Sequence, residues 1–513
     1  MGGHAFKRLH CPRISTELYL QMRKQTTDVI RGLFERVIVP IEMPSKTDYG
    51  DIDFLVSGFL KTAPGADLDW DLMVAEVKQA LQSYSSLEVH GKRGFLNPDV
   101  IYFAAQAPGK DFWVQIDVQV CDIQSQPNFE WKMFQLYYAS GLKMIGSLIK
   151  PLGLTIDPVG LHIRVEEIET TNFSGSLVFV SNEPAHVLKV LGLDKRFLLG
   201  GFGSKEELYE YFTTTWVFNP AHFARRLEEG KYRDHIEERS APWVHFITEW
   251  IPEHYPGYRM SGQDISLDEW RKLMRVAMRE KVFTLFPSIT PEYYTKRGTY
   301  LKHVEEHRLQ QLLKSAIPNG RDGWNSDISK PPTRVQSASP VAFPLNPTLS
   351  NDSVSVIAFE HPPTPPNTPP SSIKSSDLSD NTATASALGD LLATPLYVHL
   401  LPRDPPFPFK ANPPPDSMSV DAKLLCLARW SRFDPQTGAP YLLREPREKK
   451  FEMCWSDSGA SDEILVKWAK EMWWGIWVRQ CYVNYVGMWK RRFEKDDVKA
   501  EKARKSEIEM NCI

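Results

Sequence analysis

Gly50-Asp51-Ile52-Asp53-Phe54-Leu55-Val56 decides how this 513-residue chain is read, together with Trp113-Val114-Gln115-Ile116-Asp117-Val118-Gln119-Val120. Both runs hold the β-branched and aromatic residues that favour strands. Successive side chains in a strand point to opposite faces. Asp51 and Asp53 therefore share one face, and Ile52 and Phe54 take the other. Gln115, Asp117 and Gln119 share a polar face in the same way, with Ile116, Val118 and Val120 behind it. With the two strands side by side, three carboxylates converge. Like charges raise one another's pKa unless a cation neutralises them. Hard oxygen donors of this kind suit Mg²⁺ or Mn²⁺. Two such ions can clamp the attacking and leaving oxygens of a phosphoryl transfer.

The chain supplies its own control. Asp67-Leu68-Asp69-Trp70-Asp71 repeats the D-x-D spacing but precedes Leu72-Met73-Val74-Ala75-Glu76-Val77, a helical pattern. Acidic residues at a helix start serve capping and the helix dipole. Asp51 and Asp53 instead follow a glycine at the head of an apolar β-type run. Asp is disfavoured in strands, so two of them there call for a reason.

At these residues the chain resembles the DNA polymerase β-like nucleotidyltransferase superfamily. The matching elements are the h-G-D-h-D-h strand and the later h-D-h strand, and the resemblance covers about Ile14–Cys121. It implies that Asp51, Asp53 and Asp117 are the metal ligands and catalytic residues, holding two Mg²⁺ or Mn²⁺ ions. The substrate implied is an NTP, and the third carboxylate would orient or activate an acceptor hydroxyl. The superfamily usually places a Gly-Ser pair about ten residues before the D-x-D. None stands between Arg36 and Tyr49. Ser45, Lys46 and Thr47 are the nearest candidates, since a lysine binds phosphate as a point charge. They read equally well as a plain hairpin connection. Asn128–Thr290 is similar to the helical region of nucleotidyltransferase-like proteins, mostly fungal.

Outward from the two strands, the pattern predicts a helix from Ser15 to about Glu35 and a strand over Val37–Ile41. A helix follows over Asp69–Ser83, then strands near Leu87–His90, Val100–Ala105 and Phe112–Cys121. The expected fold class is α+β, a nucleotidyltransferase-type palm with a mixed β-sheet and helices on one face. Val89-His90-Gly91-Lys92-Arg93-Gly94-Phe95 reads as a Gly-flanked turn. Its Lys92 and Arg93 either meet phosphates at the rim of the acidic site or are solvated.

From Phe129 the chain turns helical, with one helix expected over Phe129–Ile149. Asn182-Glu183-Pro184 opens another helix, which Gly192 stops. Lys205–Trp216 and Asn219–Gly230 follow. Arg225, Arg226, Lys231 and Arg233 are candidates to grip a nucleotide or acceptor, or else belong to a solvated mixed-charge face. Trp243, Phe246 and Trp250, at i, i+3 and i+7, read as core.

A compositional break comes near Pro318. Residues 331–420 hold about half of the chain's 39 prolines, with Ser, Thr and Asn filling much of the rest. This is the signature of a disordered linker. Ser339-Pro340, Thr364-Pro365, Thr368-Pro369 and Thr394-Pro395 suit proline-directed kinases, and Pro362-Pro363-Thr364-Pro365-Pro366 an SH3- or WW-type groove. The tail regains order as a Trp-rich helical segment. Ser461 is read as N-cap of a helix from Asp462 to about Glu494, with Leu465, Trp468, Met472, Ile476, Val483 and Val486 as its apolar stripe, followed by a charged coil or helix through Lys505. The tail packs back onto the helical domain, binds a partner or membrane surface, or helps to hold nucleic acid. The expected divisions are 1–125 (palm), 126–317 (mainly helical), 318–422 (linker) and 423–513 (Trp-rich tail).

Net charge is −3, so no global field favours nucleic acid or an anionic membrane. The six cysteines have no metal-type spacing and read as reduced thiols of an intracellular protein, in cytoplasm or nucleus. No secretory signal and no membrane span is expected. The activity expected is metal-dependent nucleotidyl transfer from an NTP to a hydroxyl of RNA, protein or a small molecule. The alternatives are a catalytically inactive scaffold of the same fold and a hydrolase or phosphotransferase using the same carboxylates.

Overall fold

The structure is a computed structural model. It describes residues 4–62, 67–121, 126–138, 141–228, 241–257, 266–330, 396, 401–449 and 451–511, without the side chains of 126–128, 225–228 and 509–511. The chain forms two compact units, Met1–Tyr300 and Leu301–Ile513. The boundary falls inside the helix Thr290–Ala316, so residues 301–317, grouped by sequence with the helical domain, belong to the second unit.

The first unit is built on a five-stranded mixed sheet. Its elements are β1 (Ile14–Ser15), α1 (Thr16–Arg31), β2 (Phe34–Ile38), β3 (Asp48–Tyr49), β4 (Ile52–Phe59), α2 (Trp70–Ser85), β5 (Val89–Arg93), β6 (Val100–Gln106) and β7 (Trp113–Cys121). The order across the sheet is β2-β4-β7-β6-β5. Only β4 and β7 run parallel; the other pairs are antiparallel. β1 and β3 form a separate short pair.

The alternation seen in the sequence decides which face is covered. Ile52, Phe54 and Val56 of β4, Ile116 and Val118 of β7, and Ile101 and Phe103 of β6 are buried with Tyr19, Met22 and Ile30 of α1 and Met73, Val77 and Leu81 of α2. Each such side chain stabilises the fold by roughly 1.5–3 kcal/mol. Ser15 caps α1, its side chain accepting from the Leu18 amide. Asp69 caps α2 in the same way, at 2.9 Å from the Leu72 amide, as expected of the second D-x-D run.

Two local readings are corrected. The strand expected over Val37–Ile41 spans Phe34–Ile38, because Pro40 has no amide to give a ladder. Lys92 and Arg93 lie in strand β5, not in a turn. Gly91 is there for close approach: a Cβ would lie 2.8 Å from the Phe103 ring.

After β7 come α3 (Gln126–Leu136) and α4 (Gly141–Ile149), two helices where one was expected. Tyr138, at φ +56°, ends the first, a left-handed conformation that no helix continues. Phe129, Met133 and Leu136 of α3 pack on Leu55 and Cys121, covering the C-terminal end of the sheet's second face. A three-stranded antiparallel sheet follows, β8 (Leu154–Ile156), β9 (Leu161–Arg164) and β10 (Leu177–Ser181), in the order β10-β9-β8. Pro184–Leu191 ends at Gly192, φ +70°. Lys205–Thr213 is shorter than expected, and Pro220–Glu228, Ala241–His254 with its π-turn at Phe246–Trp250, and Leu267–Leu285 complete this part. Trp243, Phe246 and Trp250 are buried in its core.

In the second unit one helix spans Asp462–Asn511, so the charged stretch beyond Glu494 is helix and not coil. Leu465, Trp473, Ile476, Tyr482 and Val486 form a core with Leu309, Leu313 and Ile317 and with Leu427 and Trp430 of the helix Val420–Trp430. The apolar stripe therefore packs inside the protein. Residues 401–422, expected as part of the linker, pack on this core: the Trp477 indole donates to the Asn412 carbonyl at 2.8 Å, and Phe409 packs on Tyr482. The proline-directed sites and the Pro362–Pro366 run lie outside the described residues. No helix among those described is long and apolar enough to cross a membrane. Cys11, Cys121, Cys426, Cys454 and Cys481 are free thiols.

Candidate functional site

The sheet's second face is left open at the N-terminal ends of β4 and β7. The register sets Asp53 directly opposite Asp117 across the parallel pair. Asp117 in turn faces Tyr102, and Tyr102 faces Lys92. These four side chains form one row across four strands, because direct partners share a face. Asp51 lies just before the first paired residue of β4, on the same side as Asp53.

The electrostatics show that the three carboxylates are brought together. Burial, then Asp51, Asp117 and Glu42, push the Asp53 carboxyl up to about 8. Burial and Asp51 push Asp117 up to about 7, against the pull of its hydrogen bond from Gln115. Asp51 is raised by burial and Glu42, while Lys46 and Arg13 oppose the rise. Among the described residues, no three His, Cys, Asp or Glu side chains are closed up into a ligand set. The register sets Asp53 beside Asp117, and Asp51 is close enough to raise the pKa of both.

Glu42 is a fourth carboxylate that the sequence reading missed. Its Oε2 lies 2.6 Å from Lys46 Nζ, and its Oε1 accepts from the Tyr19 hydroxyl at 3.0 Å. Tyr19 stacks on Tyr49 at 3.7 Å between centroids, and Lys46 lies over the Tyr49 ring. The Glu42–Lys46 spacing of four was the only signal, and it carries meaning on a helix alone. Arg13 was also missed; it pairs with Asp48 at 2.5 Å and opposes the rise at Asp51.

Of the phosphate-binding candidates, Lys46 reaches the acidic cluster: it lowers the pKa of both Asp51 and Asp53. Ser45 flanks it in a left-handed conformation, φ +58°. The Thr47 carbonyl accepts from the Thr16 hydroxyl. Lys92 is on the carboxylate face but on the far edge strand, donating to the Ala5 carbonyl. Arg93 points to the other face, over the Trp70 ring at 3.9 Å, and its Nε donates to the Pro98 carbonyl. The side chains of Arg225 and Arg226, and all of Lys231 and Arg233, lie outside the described residues.

Gln115 joins the site to the N-terminal segment. Its Nε2 donates to Asp117 Oδ1 at 2.7 Å, and its Oε1 accepts from the Ala5 amide at 2.8 Å. Buried and fixed at both ends, this amide orients Asp117.

The donor set is all oxygen, partly desolvated, and in want of positive charge. It fits Mg²⁺ or Mn²⁺. No protein-family model matches the chain, and no curated protein matches it either.

Proposed function

We propose that the chain is a metal-dependent nucleotidyltransferase acting through Asp51, Asp53 and Asp117. The observation that carries this reading is the in-register pair Asp53–Asp117 with Asp51 beside it, three half-buried carboxylates of which Asp51 raises the pKa of the other two and Asp117 that of Asp53. These residues would hold two Mg²⁺ or Mn²⁺ ions, which when bound supply neutralising charge to the phosphoryl oxygens. Lys46, with the Ser45 and Thr47 hydroxyls, takes the NTP phosphates. The acceptor oxygen attacks the α-phosphorus, pyrophosphate leaves, and the acceptor proton passes to Asp117. Gln115 aims that carboxylate through its hydrogen bond. RNA, a protein hydroxyl and a small molecule are the acceptor classes to compare.

The second reading is a catalytically inactive scaffold. The ion pair that closes Lys46 on Glu42 and the missing Gly-Ser pair favour it. One assay separates the two. The protein and its Asp51→Asn/Asp53→Asn variant are incubated with α-labelled NTPs, Mg²⁺ or Mn²⁺, and a cell extract. Label moving to an extract component only with the intact protein supports transfer and names the acceptor class. Free nucleotide as the sole product points to a hydrolase. No product with any NTP or metal sinks the transferase reading.

A further inference from the structure

Lys143, Gly146, Ser147 and Lys150 recur at i, i+3, i+4 and i+7 along α4 and the turn that continues it. That spacing sets them in one stripe. The stripe is the floor of a cavity of about 340 Å³, whose walls include Leu154, Thr155, Ile156, Phe173 and Trp243. The carboxylate site contributes none of these residues.

The floor is kept low against local preference. A Cβ at Gly146 would meet nothing within 4 Å. Glycine is disfavoured inside a helix relative to alanine. Propensity favours a larger residue here and the space allows one, yet the chain holds glycine.

Wall and floor are also locked. The buried Trp243 indole donates to Ser147 Oγ at 2.8 Å, and Ser147 Oγ donates to the Lys143 carbonyl at 2.8 Å. Arg164 lies under the Phe173 ring at 5.6 Å and donates to Thr155 Oγ1 at 2.8 Å. The Thr155 hydroxyl thus keeps its own proton to donate. Lys143 and Lys150 stand exposed at the two ends of the stripe, roughly 10 Å apart along the axis. Among the described residues neither has an ion-pair partner.

We propose that this cavity binds a small planar aromatic anion, its ring over Gly146 and flanked by the Trp243 and Phe173 walls, its charged group on Lys143 or Lys150. The size and apolar lining with few polar groups suit a small-molecule site.

The test uses the full chain with 1-naphthalenesulfonate as probe and decanoate as its non-planar counterpart, each measured by saturation-transfer NMR with titration. The naphthalenesulfonate should bind at a single saturable site and decanoate at least 10-fold more weakly. Gly146→Phe should weaken the naphthalenesulfonate at least 10-fold, and Gly146→Ala should retain it. Lys143→Glu/Lys150→Glu changes only exposed positions and serves if the phenylalanine variant misfolds; it too should weaken binding at least 10-fold. Absence of saturable binding, affinity unchanged in the charge-reversed variant, or decanoate binding as tightly as the planar anion would each overturn the proposal.

Discussion

Lys46 Nζ lies 2.6 Å from Glu42 Oε2, so the ammonium that eases the charge on Asp51 and Asp53 is engaged by a fourth carboxylate. Any phosphate that Lys46 is to hold must compete with Glu42. Both side chains are about one-fifth exposed, so solvent softens the pair, whose worth is at most about 1 kcal/mol. Glu42→Gln should therefore bind NTP about 3–5-fold more tightly, and Lys46→Ala should bind it more weakly. Titration of both variants with a non-hydrolysable NTP, with Mn²⁺ present, reads the effect. Equal affinities in all three proteins would remove Lys46 from the phosphate site.

The metal-free protein should lose stability as pH rises. Asp53 has a folded pKa of about 8, above its ordinary 3.8. Between those values the native state binds more protons than the unfolded state, so the slope of stability with pH is negative. The contribution is fully present below the unfolded pKa and is lost as pH rises through about 8. Asp117, at about 7, acts in the same direction. Asp53→Asn removes the larger of the two. Relative to the parent, its melting temperature should gain across pH 5 to 8.5, by about 2–5 °C at the upper end. Mn²⁺ should raise the parent at pH 8 and leave the variant unmoved.

Gln115→Leu should act through Asp117. It deletes the hydrogen bond that pulls the Asp117 pKa down and frees the Ala5 amide. The rising limb of the pH–rate profile should move to higher pH, and the rate near pH 7 should fall about 10-fold. An unshifted profile would mean that Asp117 does not carry the acceptor proton.

In the second unit the vulnerable centre is polar. Gln480 Oε1 accepts from the Trp430 indole and from Arg429, each at 3.0 Å, and its amide donates to Asn484. Gln480→Leu leaves a buried indole N–H unpaired, at about 1–3 kcal/mol. Thermal unfolding followed by tryptophan fluorescence should show a fall of several degrees. Gln480→Glu, which keeps the acceptor oxygen, should recover part of it.

The carboxylate pair was legible because strand alternation is short-range: Ile52 and Phe54 must go under the helices, so Asp53 must face away. The partnership of Asp53 with Asp117 followed once both faces were known. Glu42 was not legible. It lies in irregular chain between β2 and β3, where no period ties a residue to a face, and only the return of Lys46 makes it part of the site. Lys92 and Arg93 were misread for a related reason. Gly91 and Gly94 look like turn punctuation, yet Gly91 sits inside a strand because Phe103 crowds it. The packing of residues 401–422 was hidden by proline content, since Phe407 and Phe409 pack on the tail helix from an extended, proline-rich chain.

The parallel β4–β7 pair also bears on how the molecule assembles. β2 with β4, β5 with β6, and β6 with β7 are antiparallel pairs drawn from nearby stretches of chain. The β4–β7 seam joins those two halves across the whole of α2, a non-local and therefore slow pairing. It is also the seam that forces Asp53 against Asp117. Closing that seam above pH 8, where both carboxylates are charged, works against their repulsion, so a divalent cation present then should act as a folding accelerator, visible as faster refolding in Mn²⁺ that Asp53→Asn no longer shows.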